Sequence, residues 1–150
     1  MRIVERPNDF KDLVGQELGV TDWVDVGQDR IDTFAEATGD FQWIHVDKAR
    51  AAAALPTGTT IAHGFLSLAM IAGMPTFEVV NLKNAINYGC NKVRFTNMVP
   101  AGSRIRVRQT LLSADDVKGG GVRVIAETHV EIEGQERPAV VAETIVIYYG

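Results

Sequence analysis

Two short blocks of the sequence combine residue types that can exchange protons near neutral pH. The first contains Asp40 and His45, and the second contains His63 followed at once by Gly64. A carboxylate and an imidazole have ordinary pKa values of about 3.9 and about 6.5, which suits paired proton transfer. Backbone N–H groups at the start of a helix carry partial positive charge, and a glycine there lets a ligand approach them closely. Such donors can stabilise a developing oxyanion.

Each block also has a purely structural interpretation. Asp40 can complete a Gly-Asp turn while His45 is a partly buried imidazole whose hydrogen bonds are satisfied. Gly64 can serve only the tight packing of a helix against a sheet. Spacing alone does not decide between these interpretations and the chemical one.

Length and composition limit the class of protein. The chain of 150 residues predicts one domain over residues 1–150 with room for a hydrophobic core. Its formal net charge of -4 argues against a nucleic-acid partner. The single cysteine, Cys90, excludes an internal disulfide and fits a cytoplasmic protein. No apolar stretch is long enough to act as a signal peptide or to span a membrane.

The first half of the sequence predicts short helices around the two blocks. Helical spacing predicts helices over residues 8–14, 31–38 and 48–55, with Gly39 ending the second and Asp47 capping the third, a strand over 20–26 and a loop over 40–46. From Gly64 to about Met74 the sequence is apolar nearly all round. A helix without a polar face must be covered on every side.

The second half supplies the strands that cover this helix. Alternating apolar and polar residues predict strands over 85–95, 104–111, 122–132 and 140–149, with the last in the middle of the sheet. The turns over 115–121 and 133–138 are short enough to make these strands antiparallel neighbours. Helices followed by antiparallel strands predict an α+β fold in which one curved sheet packs on a buried helix.

Other polar residues carry weaker signals. Arg104, Arg106 and Arg108 form a row that could contact phosphates or could simply be solvated. His129 lies on the polar side of its strand and is predicted to be a surface residue, and Cys90 has no partner that would make it a nucleophile. The three histidines lack a spaced carboxylate cluster, so no metal site is predicted.

Together the two blocks resemble the signatures of a known family. Residues 37–47, ATGDFQWIHVD, and 61–65, IAHGF, resemble those of the MaoC-like (R)-specific enoyl-CoA hydratases, also called hydratase 2. The first signature commonly reads Gly-Asp-x-Asn-Pro-apolar-His. Gln42 and Trp43 replace Asn-Pro here, and with residues 87–95 they bring the chain closer to the nodulation protein N-like subgroup. The resemblance covers most of the chain.

The resemblance implies a hot-dog fold, in which a curved antiparallel β-sheet wraps a long central helix, and a homodimer. It implies an enzyme of fatty acid metabolism that adds water in the syn sense to trans-2-enoyl-CoA, giving (R)-3-hydroxyacyl-CoA. Acyl-CoA is then the substrate, and no metal or other cofactor is implied. The family serine eight residues after the glycine is replaced by Ala72, and Ser67 is a weak candidate to substitute for it.

The resemblance also implies roles for the residues of both blocks. Asp40 and His45 correspond to the catalytic acid–base pair, and the N–H of Gly64 to the donor that binds the thioester oxygen. His63 and Phe65 flank this glycine as oxyanion- or substrate-binding residues. Two alternatives use the same fold: an acyl-CoA thioesterase, in which water attacks C1, and an acyl-CoA-binding module without catalysis.

Overall fold

Helices occupy the first half of the chain and long strands the second, as the hydrophobic patterns predict. A computed structural model describes all 150 residues. The helices are α1 (Gln28–Thr38), α2 (Trp43–Val46), α3 (Lys48–Ala54) and α4 (Gly64–Met70), with 3-10 helices at Pro7–Leu13 and Ile71–Gly73. The strands are β1 (Arg2–Val4), β2 (Glu17–Val20), β3 (Val24–Val26), β4 (Phe77–Val79), β5 (Asn84–Phe95), β6 (Ser103–Asp116), β7 (Val122–Ile132) and β8 (Val140–Tyr149).

The main sheet has six strands and is antiparallel. Its order is β2–β6–β7–β8–β5, and β3 also pairs with β6. The short turns after β6 and β7 make consecutive strands neighbours, and β8 lies between β7 and β5 as the sequence predicts. Strands β1 and β4 form a separate two-stranded parallel sheet. Short helices followed by this antiparallel sheet confirm the predicted α+β class.

Alternation along β6 and β7 separates a core face from an outer face. Ile105, Val107 and Val130 are fully buried in the main hydrophobic cluster. The arginines of β6 lie on the outer face and are paired with carboxylates: Arg104 with Glu133, Arg106 with Glu131, and Arg108 with Glu131 and Glu17. These ion pairs favour the structural interpretation of the arginine row over a phosphate site. His129 lies beside Glu127 on the same face, as predicted for a surface histidine.

Helix α4 packs on the inner face of the sheet but differs from its prediction in two ways. The α-helix ends at Met70, and a 3-10 turn continues to Gly73, because Pro75 restricts the residue before it and the chain cannot continue as a helix. The helix is also not covered on every side. Leu66 and Met70 are buried, whereas Phe65 is 67% exposed. One face of the central helix is therefore open in the single chain.

Three further predictions needed correction. The strand predicted over 20–26 is divided into β2 and β3, because the hydroxyl of Thr21 accepts the hydrogen bond of Val107 N–H at 2.9 Å in place of a strand carbonyl. The predicted loop 40–46 contains the single-turn helix α2, which is too short to show helical periodicity. The helix predicted over 8–14 is a 3-10 helix over Pro7–Leu13. No helix has the length and hydropathy needed to cross a membrane.

Candidate active site

Asp40 is positioned by the end of helix α1. Gly39 adopts a left-handed conformation, with φ of 78°, and its N–H donates to the carbonyl of Ala35 at 2.8 Å. This reversal, which glycine adopts without strain, turns the chain sharply after the helix. The carboxylate of Asp40 is exposed, and its Oδ1 accepts a hydrogen bond from the backbone N–H of Gln42 at 3.3 Å.

His45 lies on helix α2, where a backbone contact joins the two sequence blocks. The N–H of Ile61 donates to the carbonyl of Ile44 at 3.0 Å, and Nδ1 of His45 donates to the carbonyl of Ile61 at 2.7 Å. A carbonyl oxygen can only accept, so Nδ1 carries a hydrogen. In the neutral ring the lone pair is therefore on Nε2, which is free to take a proton.

Gln28 and Thr60 hold this arrangement in place, and no sequence pattern points to either of them. Gln28, the first residue of α1, donates from Nε2 to the carbonyl of His45 at 2.7 Å. Its Oε1 accepts from the hydroxyl of the buried Thr60. The pair thus ties α1, α2 and the second block together. A glutamine at a helix start has no distinguishing sequence signal, so only the structure reveals this contact.

His63 completes a buried pair of imidazoles. Its ring stacks on that of His45, with centroids 3.8 Å apart and planes 24° apart, and lies against Phe34. Nε2 of His63 donates to the backbone carbonyl of Asp40 at 3.0 Å. Its Nδ1 is buried and has no hydrogen-bond partner. His63 thus packs directly on one predicted catalytic residue and hydrogen-bonds the backbone of the other.

Three side chains meet at this site: those of Asp40, His45 and His63. One oxygen or nitrogen atom of each lies within 4.8 Å of the corresponding atoms of the other two side chains. Histidine lone pairs lie in the ring planes, and stacked rings do not direct two lone pairs at a common point. A zinc ion would require both nitrogens about 2.0–2.1 Å away. The geometry is better suited to sharing protons or a water molecule than to holding a metal. The expectation that no metal is needed stays a prediction.

Burial lowers the pKa of His45 below its usual 6.5. The neighbouring His63 lowers this pKa further, while the hydrogen bond to Ile61 and the carboxylate of Asp40 raise it, and the net change is downward. His45 is therefore neutral at pH 7, with its Nε2 lone pair available. A neutral imidazole beside a carboxylate is the protonation state that a general base requires.

Gly64 begins helix α4, next to His63. As the first helical residue it has an N–H without a partner inside the helix. A Cβ placed on Gly64 would lie 2.7 Å from the ring of Phe95, so this position has no space for a side chain. Phe65 follows on the exposed face of α4, with its ring 5.3 Å from that of Phe95. The residues of both sequence blocks thus meet at one end of the central helix.

The two positions considered for the family serine lie farther along the same helix. Ser67 is buried at the end of the first turn, and its N–H donates to the carbonyl of His63 at 3.2 Å. Ala72 lies in the 3-10 turn and lines a cavity of about 590 Å³. None of Asp40, His45 and His63 lines that cavity.

Replacing Gly64 by alanine is expected to lower the free energy of unfolding by about 1 kcal/mol, because the new methyl group must displace Phe95. Urea unfolding measures the change. Gly73→Ala is the matched control, since a Cβ there meets no atom within 4 Å. The double variant Gly64→Ala/Phe95→Leu should recover part of the loss. Equal stability of the Gly64→Ala and Gly73→Ala variants would contradict this packing argument.

The fold and this site define the class of protein: a hot-dog protein with a carboxylate and an imidazole at the start of its central helix. A family model described as a MaoC like domain matches residues 9–133. The chain therefore belongs to the MaoC-like dehydratase family, a family of hydro-lyases. This finding confirms the resemblance that the two sequence blocks indicate.

Individual relatives agree with this assignment. The chain is 48% identical over 150 residues to 3-hydroxyacyl-thioester dehydratase Z of Mycobacterium tuberculosis, covering 99% of both chains. It is 43% identical over 145 residues to nodulation protein N of Rhizobium leguminosarum bv. viciae, covering 93% of this chain and 88% of that protein. The (R)-hydratase of A. caviae involved in PHA biosynthesis has the same fold, with a TM-score of 0.70 at 23% identity over 89% of this chain and 94% of that chain.

Proposed function

We propose that this protein is an (R)-specific enoyl-CoA hydratase. It adds water to trans-2-enoyl-CoA in the syn sense, giving (R)-3-hydroxyacyl-CoA, and catalyses the reverse dehydration as well. The name of the mycobacterial relative, a 3-hydroxyacyl-thioester dehydratase, supports the reaction class. The proposal depends mainly on one observation: the Asp40 carboxylate and a ring nitrogen of His45 lie within 4.8 Å of each other.

This separation suits a shared water molecule. A water that accepts or donates hydrogen bonds of about 2.7–2.9 Å can bridge two groups that are up to roughly 5 Å apart. The carboxylate of Asp40 accepts one hydrogen of this water, and the free Nε2 of neutral His45 accepts the other. The water oxygen is then held for attack on C3 of a bound enoyl group.

The reaction balances through these groups alone. The water oxygen bonds to C3, and one of its protons passes to the Asp40–His45 pair. The electrons of the C2=C3 double bond move toward the thioester, whose oxygen becomes an enolate stabilised by the N–H of Gly64. The pair then returns a proton to C2 on the same face of the double bond, which gives syn addition. Because the two groups share the water, they act as one acid–base unit.

His63 and Phe65 complete the proposed site. His63 holds the Asp40 backbone through Nε2 and stacks on His45, so it orients both members of the pair. Phe65 and Phe95 contact each other beside Gly64, with ring centroids 5.3 Å apart, and offer the bound thioester an apolar surface.

Crotonyl-CoA is the substrate with which to test this function. Wild-type protein is expected to remove the absorbance band of the enoyl thioester, and an (R)-specific 3-hydroxyacyl-CoA dehydrogenase coupled to the reaction is expected to reduce its nicotinamide cofactor. An (S)-specific dehydrogenase is the matched control and should give no signal. Release of free CoA from saturated acyl-CoA would instead indicate a thioesterase. Acyl-CoA binding without either reaction would indicate a binding module.

We further propose that the protein is a homodimer joined through strand β5. This strand is an edge of the main sheet, and its side chains are exposed or half-buried along its whole length. Ile86 and Tyr88 are 51% and 65% exposed on it, and Phe65 is exposed on the neighbouring helix. A long edge strand has unpaired N–H and C=O groups that favour pairing with another strand, and exposed apolar side chains on it add to this tendency. A second copy of the chain satisfies them by extending the sheet.

Sedimentation equilibrium is expected to give twice the mass of one chain. The double variant Ile86→Lys/Tyr88→Lys should give the single-chain mass, because two charges would be buried against a second copy. Ile3→Lys is the matched control, since Ile3 is equally exposed but lies on β1 away from this edge. A monomeric wild type would contradict the proposal. A cytoplasmic location, expected from the sequence, also stays a prediction.

A further inference from the structure

The cavity of about 590 Å³ lies along the side of the central helix from Leu68 onward, beyond the turn that begins at Gly64. It is bounded by the later turns of α4 and the 3-10 turn on one side and by β5 and β8 on the other, and 14 of its 20 lining residues are hydrophobic. Its size and character suit an acyl chain. The helical rise places Ala72, on the cavity wall, about 12 Å from Gly64.

The far wall of this cavity carries a row of polar side chains across three strands of the sheet. Gln109 on β6 pairs with Thr128 on β7, and its Nε2 donates to the hydroxyl of Thr128 at 3.1 Å. That hydroxyl lies 2.9 Å from the hydroxyl of Thr144 on β8. Thr76 closes the row by donating its hydroxyl hydrogen to Oε1 of Gln109 at 2.6 Å. We call these four residues the polar row.

The polar row interrupts an otherwise apolar inner face. On one side of it lies the main hydrophobic cluster, with Val107 and Val130, and on the other a second cluster, with Leu111 and Val124. Alternation along each strand would place an apolar residue at these positions. Polar groups in an apolar interior cost free energy unless they are hydrogen-bonded, so a cavity for a plain hydrocarbon chain gains nothing from them.

Three members of the polar row line the cavity: Thr76, Gln109 and Thr144. The hydrogen bonds among these residues leave one donor of Gln109 and one acceptor of Thr76 unused. Nε2 of Gln109 has two hydrogens and donates only to Thr128 within the protein, and the hydroxyl oxygen of Thr76 donates without accepting. One donor on Gln109 and one acceptor on Thr76 are thus left without a protein partner, on two neighbouring residues that line the cavity. A hydroxyl group, which both donates and accepts, matches the two together.

We propose that the cavity binds an acyl chain that carries a hydroxyl group far from the thioester, and that Gln109 and Thr76 recognise this hydroxyl. The proposal rests on the proposed function only for placing the thioester at Gly64. From there an extended chain of about ten carbons covers the rise of about 12 Å between Gly64 and Ala72, which lines the same cavity as Gln109 and Thr76. The substrate class is therefore a hydroxylated acyl-CoA of medium length.

Calorimetric binding of two saturated ligands, decanoyl-CoA and 10-hydroxydecanoyl-CoA, tests this recognition without requiring turnover. Wild type is expected to bind the hydroxylated chain about tenfold more tightly, the effect of about one added hydrogen bond. Gln109→Met, which keeps the side-chain volume, should remove most of this preference. Thr110→Val, on the opposite face of the same strand, should leave it unchanged.

Equal affinity of wild type for the two ligands would overturn the proposal. An unchanged preference in the Gln109→Met variant would do so too, even if its unfolding midpoint fell, because the polar row would then serve only sheet packing. Crotonyl-CoA hydration separates this result from the proposed function, since a four-carbon chain does not extend to the polar row. If the protein hydrates crotonyl-CoA but binds both saturated ligands equally, only the proposed recognition of the hydroxyl group is refuted. If the protein prefers the hydroxylated ligand but does not hydrate crotonyl-CoA, the recognition of the hydroxyl group is supported and only the proposed hydratase activity is refuted.

Discussion

Replacing Asp40 by asparagine is expected to lower kcat for crotonyl-CoA hydration by about three orders of magnitude, within the range for loss of a general acid or base. Asparagine has the same shape and keeps an oxygen that can accept from the N–H of Gln42, so the turn after α1 is preserved. It cannot take up the proton of the attacking water. Because Asp40 is exposed, the free energy of unfolding should change little.

Steady-state kinetics with crotonyl-CoA measures this effect. Asp22→Asn is the matched control, because Asp22 is also exposed and lies in the segment between β2 and β3, away from the site. Its turnover should equal that of wild type. Comparable turnover in the Asp40→Asn variant would show that the carboxylate does not take part in proton transfer, and the proposed Asp40–His45 pair would then be wrong.

His45→Asn is expected to lower kcat by about two to four orders of magnitude. The side-chain amide of asparagine retains an N–H that can donate near the position of Nδ1, where His45 donates to Ile61. It has no equivalent of the Nε2 lone pair. The variant thus separates the structural hydrogen bond from the base. His129→Asn is the control, since His129 lies on the outer face of β7 beside Glu127. A large loss of activity there too would mean that the effect is not specific to the site.

The lowered pKa of His45 predicts how activity depends on pH. Burial makes the folded pKa lower than the usual 6.5, so the free base persists at mildly acidic pH. The kcat/KM of wild type should therefore fall on the acid side only as pH drops through a value below 6.5. A midpoint above 6.5 for this acid limb would contradict the assignment of His45 as the free base.

The lowered pKa of His45 also makes the free energy of unfolding depend on pH, and this free energy decreases toward acid pH. Between the folded pKa and 6.5 the unfolded chain binds more protons at His45 than the folded protein does, so stability falls as pH drops through this window. Above 6.5 the contribution is complete. The unfolding midpoint of wild type should therefore decrease more steeply than that of His45→Asn across this window, as measured by thermal unfolding at a series of pH values.

Local sequence determined much of this protein. Alternation placed the strands of the second half, and the short turns between them set their antiparallel order. Helical spacing and Gly39 placed the end of α1, and Asp47 capped α3 by accepting from the N–H of Arg50. The two signature blocks identified the family. These features depend on residues that are near one another in the chain, so they can be predicted from one sequence.

Contacts between distant segments were decided by the tertiary structure alone. The bond between Ile61 and Ile44 brings the blocks together and stacks His63 on His45, and nothing in either block specifies that approach. The open face of α4 depends on how far the sheet curves around it. The polar row joins four segments of the chain through side-chain hydrogen bonds. In the sequence each of its members is only a single polar residue in its own segment, so the row is visible only in the structure. Burial then set the pKa of His45, because desolvation depends on all the chain packed around a group.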